Sequence, residues 1–293
     1  MNLPDGEYRL FLNGIRQWIK VAGVEHGTVP LLLLHGGPGG NHYNFERIVG
    51  PLLEAQRMVI YHEQRGCGRS DAPLSPDEYS LPLLVSDVDA LLDTLELAQV
   101  DVLGYSFGGG LALEYALSHP ERVRRLVLQA PALHLLDPEI VAAQVAGFRE
   151  VARAELAAAI EAIYAEPLTD KEKLEQIWGM VDTPTVDRFL FQSSEKAAYN
   201  RQLWQASGLT NTGDMTRALK TQPPTTAAQR LGEVAHPTLI LAGRHDRNVP
   251  PPMLADMARR LPNAQLQLFE HSAHFPDIEE TPLYAQAVFA FLA

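Results

Sequence analysis

Val102-Leu103-Gly104-Tyr105-Ser106-Phe107-Gly108-Gly109 is the stretch whose reading decides the fold. Residues 100–103 read as a short buried strand. Leu111-Ala112-Leu113-Glu114-Tyr115-Ala116-Leu117 is a run of good helix formers that stops at His119-Pro120. Gly104, Ser106 and Gly108 between them form a G-x-S-x-G pattern. A serine held on a sharp strand-to-helix turn leaves no room for side chains two residues to either side, which is why glycines stand there. Such a turn lifts the hydroxyl above a sheet and sets it at a helix start, where N–H groups without an intrahelical acceptor favour negative charge. Those are the requirements of an acyl-transfer nucleophile. The pentapeptide alone fits a plain connecting loop equally well, and it is the strand before it and the helix after it that favour the nucleophile.

Working outward toward the N-terminus, residues 8–12 and 15–21 read as strands joined by Asn13-Gly14, a two-residue hairpin signal because both turn positions need positive φ. Val29-Pro30-Leu31-Leu32-Leu33-Leu34 is a continuous apolar run, as expected of a central strand covered on both faces. It ends in His35-Gly36-Gly37-Pro38-Gly39-Gly40, a loop too rich in glycine to pack a core and suited to bringing backbone N–H groups close to a ligand. A helix over 43–54 and a strand over 57–62 follow. The polar turn Glu63-Gln64-Arg65-Gly66-Cys67-Gly68-Arg69-Ser70 is expected to cross-brace loops beside the site, with Cys67 a small packed thiol and not a nucleophile. Leu84, Val85, Val88, Leu91, Leu92 and Leu95 recur at spacings of three and four, so residues 80–97 read as an amphipathic helix with Ser80 as its cap.

Toward the C-terminus, residues 123–129 give another strand, after which 131–231 shows helical patterning over 140–165, 171–180 and 186–207. Helices inserted between strands of an α/β pattern are expected to sit on the carboxyl ends of those strands, where ligands bind. The domain reading is therefore a core of residues 1–130 and 232–293 with a helical cap over 131–231. Strands at 238–242 and 264–269, a helix at 251–261 and a closing helix at 282–292 complete the pattern. Gly243-Arg244-His245-Asp246 follows the first of these strands and supplies the acid, Asp246. His274 lies in the loop after 264–269 and is preferred as base over His271, which still belongs to the strand end, and over His245, a polar loop residue. The chain order Ser106, Asp246, His274 matches α/β-hydrolases and differs from the two protease families with the same triad geometry.

The charge balance of 24 basic against 36 acidic residues, formally −12, argues against nucleic acid and anionic membranes as partners. The single cysteine excludes an intrachain disulfide framework and fits a reducing compartment. The start, Met1-Asn2-Leu3-Pro4-Asp5-Gly6-Glu7, lacks a basic and apolar leader, and no stretch has the ~20 apolar residues of a membrane span, so a cytoplasmic location is expected. No metal is expected, since there is no His-Glu-x-x-His and only one cysteine, and no cofactor is called for.

Taken together, the His35–Gly40 loop, Gln64-Arg65-Gly66-Cys67-Gly68-Arg69-Ser70, the Ser106 turn, Gly243-Arg244-His245-Asp246 and the His274 loop resemble an α/β-hydrolase of the proline iminopeptidase type. The fold so implied is a mostly parallel sheet with an N-terminal antiparallel hairpin and an inserted helical cap. The activity so implied is release of an N-terminal residue, often proline, from short peptides, with the N–H groups of Gly37 and Phe107 as oxyanion hole and cap acids holding the substrate's amine. Glu195, with Tyr199 four residues on and Trp204 nearby, is the preferred cap acid over Asp182 and Asp187. The family usually has aspartate where Glu63 stands, tryptophan where Phe107 stands and glycine where Tyr105 stands. The Tyr-Ser-Phe version is shared with esterases and lactonases of the fold, so a carboxylesterase or lactonase is the alternative, and a small-ligand-binding protein of the same fold a further one.

Overall fold

Asn13 and Gly14 take φ of 41° and 92°, the left-handed pair that a tight hairpin requires, and they join β1 (Gly6–Leu12) to β2 (Ile15–Ala22) in antiparallel register. The computed structural model describes residues 3–133, 138–209, 213–222 and 226–293. Met1 and Asn2 of the N-terminal reading, and residues 134–137, 210–212 and 223–225 of the helical stretch, lie outside the described residues. The hairpin leads into β3 (Leu31–Leu34), β4 (Val59–His62), β5 (Val100–Tyr105), β6 (Val123–Gln129), β7 (Thr238–Gly243) and β8 (Ala264–Phe269). Their order in one sheet is β1-β2-β4-β3-β5-β6-β7-β8, antiparallel for β1 with β2 and β2 with β4 and parallel elsewhere.

Every residue of β3 and β4 is buried, which explains why those runs are apolar throughout instead of alternating. One face of the sheet packs against the helices Leu81–Thr94, Phe107–Ser118 and Pro251–Arg260, with Leu32, Leu34, Val102 and Leu128 pointing into that layer. The other face, with Leu31, Leu33, Leu103 and Val127, packs against Tyr43–Ile48, Gly50–Glu54 and Thr281–Leu292. From β3 the chain goes to β4 on one side and then to β5 on the other. The carboxyl ends of β3 and β5 are therefore a switch point of the sheet, where a crevice opens.

Several expected boundaries move for local reasons. The helix expected over 43–54 is two helices, because Pro51 cannot donate its backbone nitrogen to a continuing helix. Ser80 occupies the N-cap position of Leu81–Thr94, but its side chain makes no capping bond; the capping box belongs to Ser75 and Glu78 one turn earlier. Between β6 and β7 the described residues are helical, with more breaks than the periodicity implied. Pro138–Val151 and Ala154–Ala165 are separate helices, Asp170–Met180 is capped by Thr169 and Glu172, and Thr183–Leu190 and Ser194–Ser207 each begin at a side-chain cap, Asp182 and Ser193. These helices share their own core of Val141, Val145, Phe148, Ile160, Leu174, Ile177 and Phe189. They are tied to the sheet layer at Asn44, whose amide donates to the Asn200 carbonyl at 3.0 Å, and the further helix Asp214–Leu219 is tied at Pro38, whose carbonyl accepts from Thr216 Oγ1 at 2.9 Å.

Candidate active site

Ser106 stands between β5 and the helix Phe107–Ser118 with φ 53° and ψ −121°, a left-handed backbone that costs an ordinary residue of order 1–3 kcal/mol. The strain is held in place by two backbone bonds: Ser106 N donates to Gln129 O at 2.8 Å, and Ala132 N donates to Ser106 O at 3.0 Å. The flanking glycines are sterically required. A Cβ on Gly104 would lie 2.2 Å from Gly108 O, and one on Gly108 would lie 2.1 Å from Leu34 O. The turn is thus packed between its own helix and the end of β3. The glycine loop after β3 comes equally close, since a Cβ on Gly36 would lie 3.1 Å from Ser106 Cβ. Among the described residues, the backbone nitrogens of Gly37 and Phe107 donate to no backbone carbonyl, and both residues belong to the two segments that converge on Ser106.

Asp246 and His274 meet from two other strand ends. Asp246 lies in the loop after β7 and His274 in the loop after β8, both buried. His274 Nδ1 and Asp246 Oδ2 are 2.8 Å apart. The second carboxylate oxygen, Oδ1, accepts from Asn248 N at 2.8 Å and Val249 N at 3.0 Å, so the loop's own backbone orients the acid. His271 and His245, the alternatives weighed from sequence, are exposed. His274 Nε2 lies 3.2 Å from Asn248 Nδ2, and Ser106 Oγ has no hydrogen bond among the described residues. Glu279 accepts from Ala273 N in the His274 loop and from Gln192 N and Ser193 N in the helical insertion, each within 2.8 Å, and so joins the two.

Ser106 and His274 open onto a cavity of about 640 Å³ between the sheet and the insertion. Its walls are mainly apolar, with Phe45, Ile140, Leu174, Trp178, Trp204 and Phe275, and its polar side chains include Glu175, Lys220 and Asp277. Glu195 and Tyr199 do not line it; both are exposed on the helix Ser194–Ser207, where the neighbouring Asn200 and Trp204 face the cavity instead. The substrate-binding role expected of Glu195 and Tyr199 is corrected accordingly. The spacing put acid and aromatic on one helix face, but that face is the outer one. Asp182 is spent as a helix cap paired with Arg153, and Asp187 pairs with Arg201.

Asn248 and Asp277 are among the polar residues of the cavity that were not singled out from sequence. Asn248 stands two residues after the acid, where its signal is an amide in an otherwise ordinary loop. Asp277 lies three residues after the base, in the short helix Pro276–Glu279, and is buried between Phe275 and Ile278. Its available signal was a carboxylate inside the apolar run Phe275-Pro276-Asp277-Ile278. Burial raises its pKa to about 6, against the lowering effect of a 2.7 Å bond from Gln129 Nε2.

The polar turn after β4 braces the floor. Arg69 joins Glu63 and Glu46 at 2.6 Å each and lies 3.3 Å over the Trp18 ring. Glu63 also accepts from His42 N at 3.2 Å, which fixes the end of the glycine loop. Cys67 is fully buried, and burial pushes its thiol far above the range in which a thiolate forms, in keeping with a packed and unreactive side chain.

Residues 29–281 match the family model of the alpha/beta hydrolase fold. A 2-hydroxymuconate semialdehyde hydrolase from Pseudomonas sp. (strain CF600) is 31% identical, with 100% of this chain and 95% of the relative covered. A proline iminopeptidase from Clostridioides difficile (strain 630) is 27% identical, with 95% of each covered. Among solved structures, a proline iminopeptidase-related protein from Thermus thermophilus superposes with a TM-score of 0.81 at 23% identity over 99% of this chain and 98% of that one, a likeness of fold. With the hairpin, the sheet order, the Ser106 turn and the family match in agreement, the chain belongs to the α/β-hydrolase fold family, and it is a hydrolase resembling the proline iminopeptidases within it.

Proposed function

We propose that the chain is a serine hydrolase in which Ser106, His274 and Asp246 act as the triad, and that it releases an N-terminal residue from short peptides or aminoacyl amides. The observation that carries the triad is the buried 2.8 Å contact of His274 Nδ1 with Asp246 Oδ2 on a cavity that Ser106 also lines. Ser106 Oγ attacks the substrate carbonyl carbon while its proton passes to His274 Nε2. The carbonyl oxygen takes the negative charge and is held by the N–H groups of Gly37 and Phe107, each donor being worth about 3–4 kcal/mol to the transition state. The His274 proton then goes to the leaving amine as the C–N bond breaks. A water, activated by the same imidazole, hydrolyses the acyl-serine. The helical insertion over 131–231 serves as the cap that keeps water from the rest of the cavity.

Support for the peptidase reading comes from the family resemblance and from carboxylates, Glu175 and Asp277, on the walls of an otherwise apolar cavity. A second reading is favoured by Lys220, a cavity-lining amine whose pKa burial lowers and whose nearest acid, Glu175, is 4.0 Å away. That cation suits an anionic substrate such as the semialdehyde acids named for the Pseudomonas relative. One panel separates the two readings: proline and alanine p-nitroanilides, their N-acetyl forms, p-nitrophenyl butyrate, and 2-hydroxymuconate semialdehyde. The expected result is a kcat/KM at least ten times higher for free-amine anilides than for the N-acetyl forms. A preference of that size for the blocked anilides or for the anionic dienoate contradicts the peptidase reading.

A further inference from the structure

Among the described residues, buried carboxylates are mostly paired with arginine: Asp87 is held by Arg65 at 2.7 Å, Asp101 by Arg57 and Arg124 at 2.9 and 2.6 Å, and Glu46 and Glu63 by Arg69, while Asp246 meets the His274 ring. Asp277 is buried to the same degree and departs from this pattern. Among the described residues, its one side-chain partner is Gln129 Nε2 at 2.7 Å on Oδ1, and no lysine or arginine reaches it. Besides Gln129, the nearby His274 favours its charged form and Glu279 opposes it. Gln129 Oε1 and Tyr284 Oη are themselves buried without partners, and the negative charge of Asp277 helps to hold the phenols of Tyr105 and Tyr284 protonated. A buried charge persists when something pairs with it, and Asp277 lies on the cavity wall, where that partner can arrive from outside.

We infer that Asp277 is the specificity-determining residue of the cavity and receives the α-ammonium group of the substrate. Asp277 acts electrostatically on Tyr105, the residue before Ser106, follows His274 by three residues and lines the same cavity as both, so a cation held there shares the pocket onto which Ser106 opens. Recognition of the amine thus falls to the core side of the cavity, under the strand ends, and not to the exposed Glu195 of the insertion. The inference rests on the peptidase reading for its meaning, but its test does not require turnover.

The test is binding to the full chain carrying Ser106→Ala, read by calorimetry with two isosteric probes, prolinamide and cyclopentanecarboxamide, which differ in the ring amine. In the presence of Asp277, prolinamide is expected to bind at least tenfold more tightly than the carbocycle. With Asp277→Asn added, that ratio should fall to about one, whatever happens to the affinity of the neutral probe. Asp277→Ser, checked for cooperative melting, stands in if the asparagine variant does not fold. Equal affinity for both probes with Asp277 intact overturns the inference, as does a tenfold preference that survives its removal. Should prolinamide be selected through Asp277 while the Ser106 protein cleaves no aminoacyl anilide, the peptidase reading fails and the amine subsite stands.

Discussion

Replacing Asp246 with asparagine should lower kcat by about 10⁴-fold and leave the fold intact. The carboxylate accepts on both oxygens: Asn248 N and Val249 N donate to Oδ1, and His274 Nδ1 lies 2.8 Å from Oδ2. An asparagine keeps the first two contacts with its carbonyl and turns its amide toward His274. Nδ1 must then accept, the ring proton moves to Nε2, and the nitrogen that should take the Ser106 proton is already protonated. Because the backbone contacts survive, the thermal midpoint should move little. The measurement is kcat on an activated ester beside a melting curve. Turnover within tenfold of the parent would move the acid elsewhere, and Glu270, the next candidate by position, is poorly placed to inherit the role because it is exposed and paired with Arg244 at 2.7 Å.

The largest effect on stability should come from Asp87→Ala. Arg65 is among the largest fully buried side chains, and its Nε and Nη2 each lie 2.7 Å from Asp87. Asn13 Nδ2 also donates to Asp87 at 3.0 Å, so the pair ties the hairpin turn, the polar turn after β4 and the helix Leu81–Thr94 together. Truncation leaves a guanidinium in the interior with only the half-exposed Glu78, 3.9 Å from Nη1, as counter-charge, and breaking a buried pair from one side costs about 3–5 kcal/mol. Urea unfolding should show a midpoint lowered accordingly with an unchanged slope. A loss below about 1 kcal/mol would mean that water reaches Arg65, and that the brace matters less than its burial implies.

What the residues disclosed follows from how local each signal is. The Asn13-Gly14 turn, the apolar β3 and β4 and the Ser106 turn are written in neighbouring residues, so the hairpin, the central strands and the strand-to-helix turn at Ser106 were legible. The placement of Asp246 and His274 in loops after strands was legible from the run of strand and loop signals, and the structure brings the two within 2.8 Å. The insertion was legible as helical but not in its facing. Glu195 and Tyr199 share a helix face by spacing, yet spacing does not say which face meets the core, and the packing turns Asn200 and Trp204 inward instead. Ser80 looked like a cap and makes no capping bond, because the chain had already been turned by Ser75 and Glu78. Asp277 was passed over because its meaning depends on its surroundings, and the lack of a lysine or arginine partner among the described residues is a property of the folded molecule alone.

The central claim is that Ser106 is the nucleophile, and covalent labelling by a fluorophosphonate tests it most directly. Such a probe reports an activated serine without any assumption about substrate. The intact protein should take up one equivalent, with the modified peptide containing Ser106, and uptake should vanish in Ser106→Ala and be strongly slowed in His274→Ala. A parent protein that stays unlabelled, or that labels equally well after Ser106→Ala, would contradict the account.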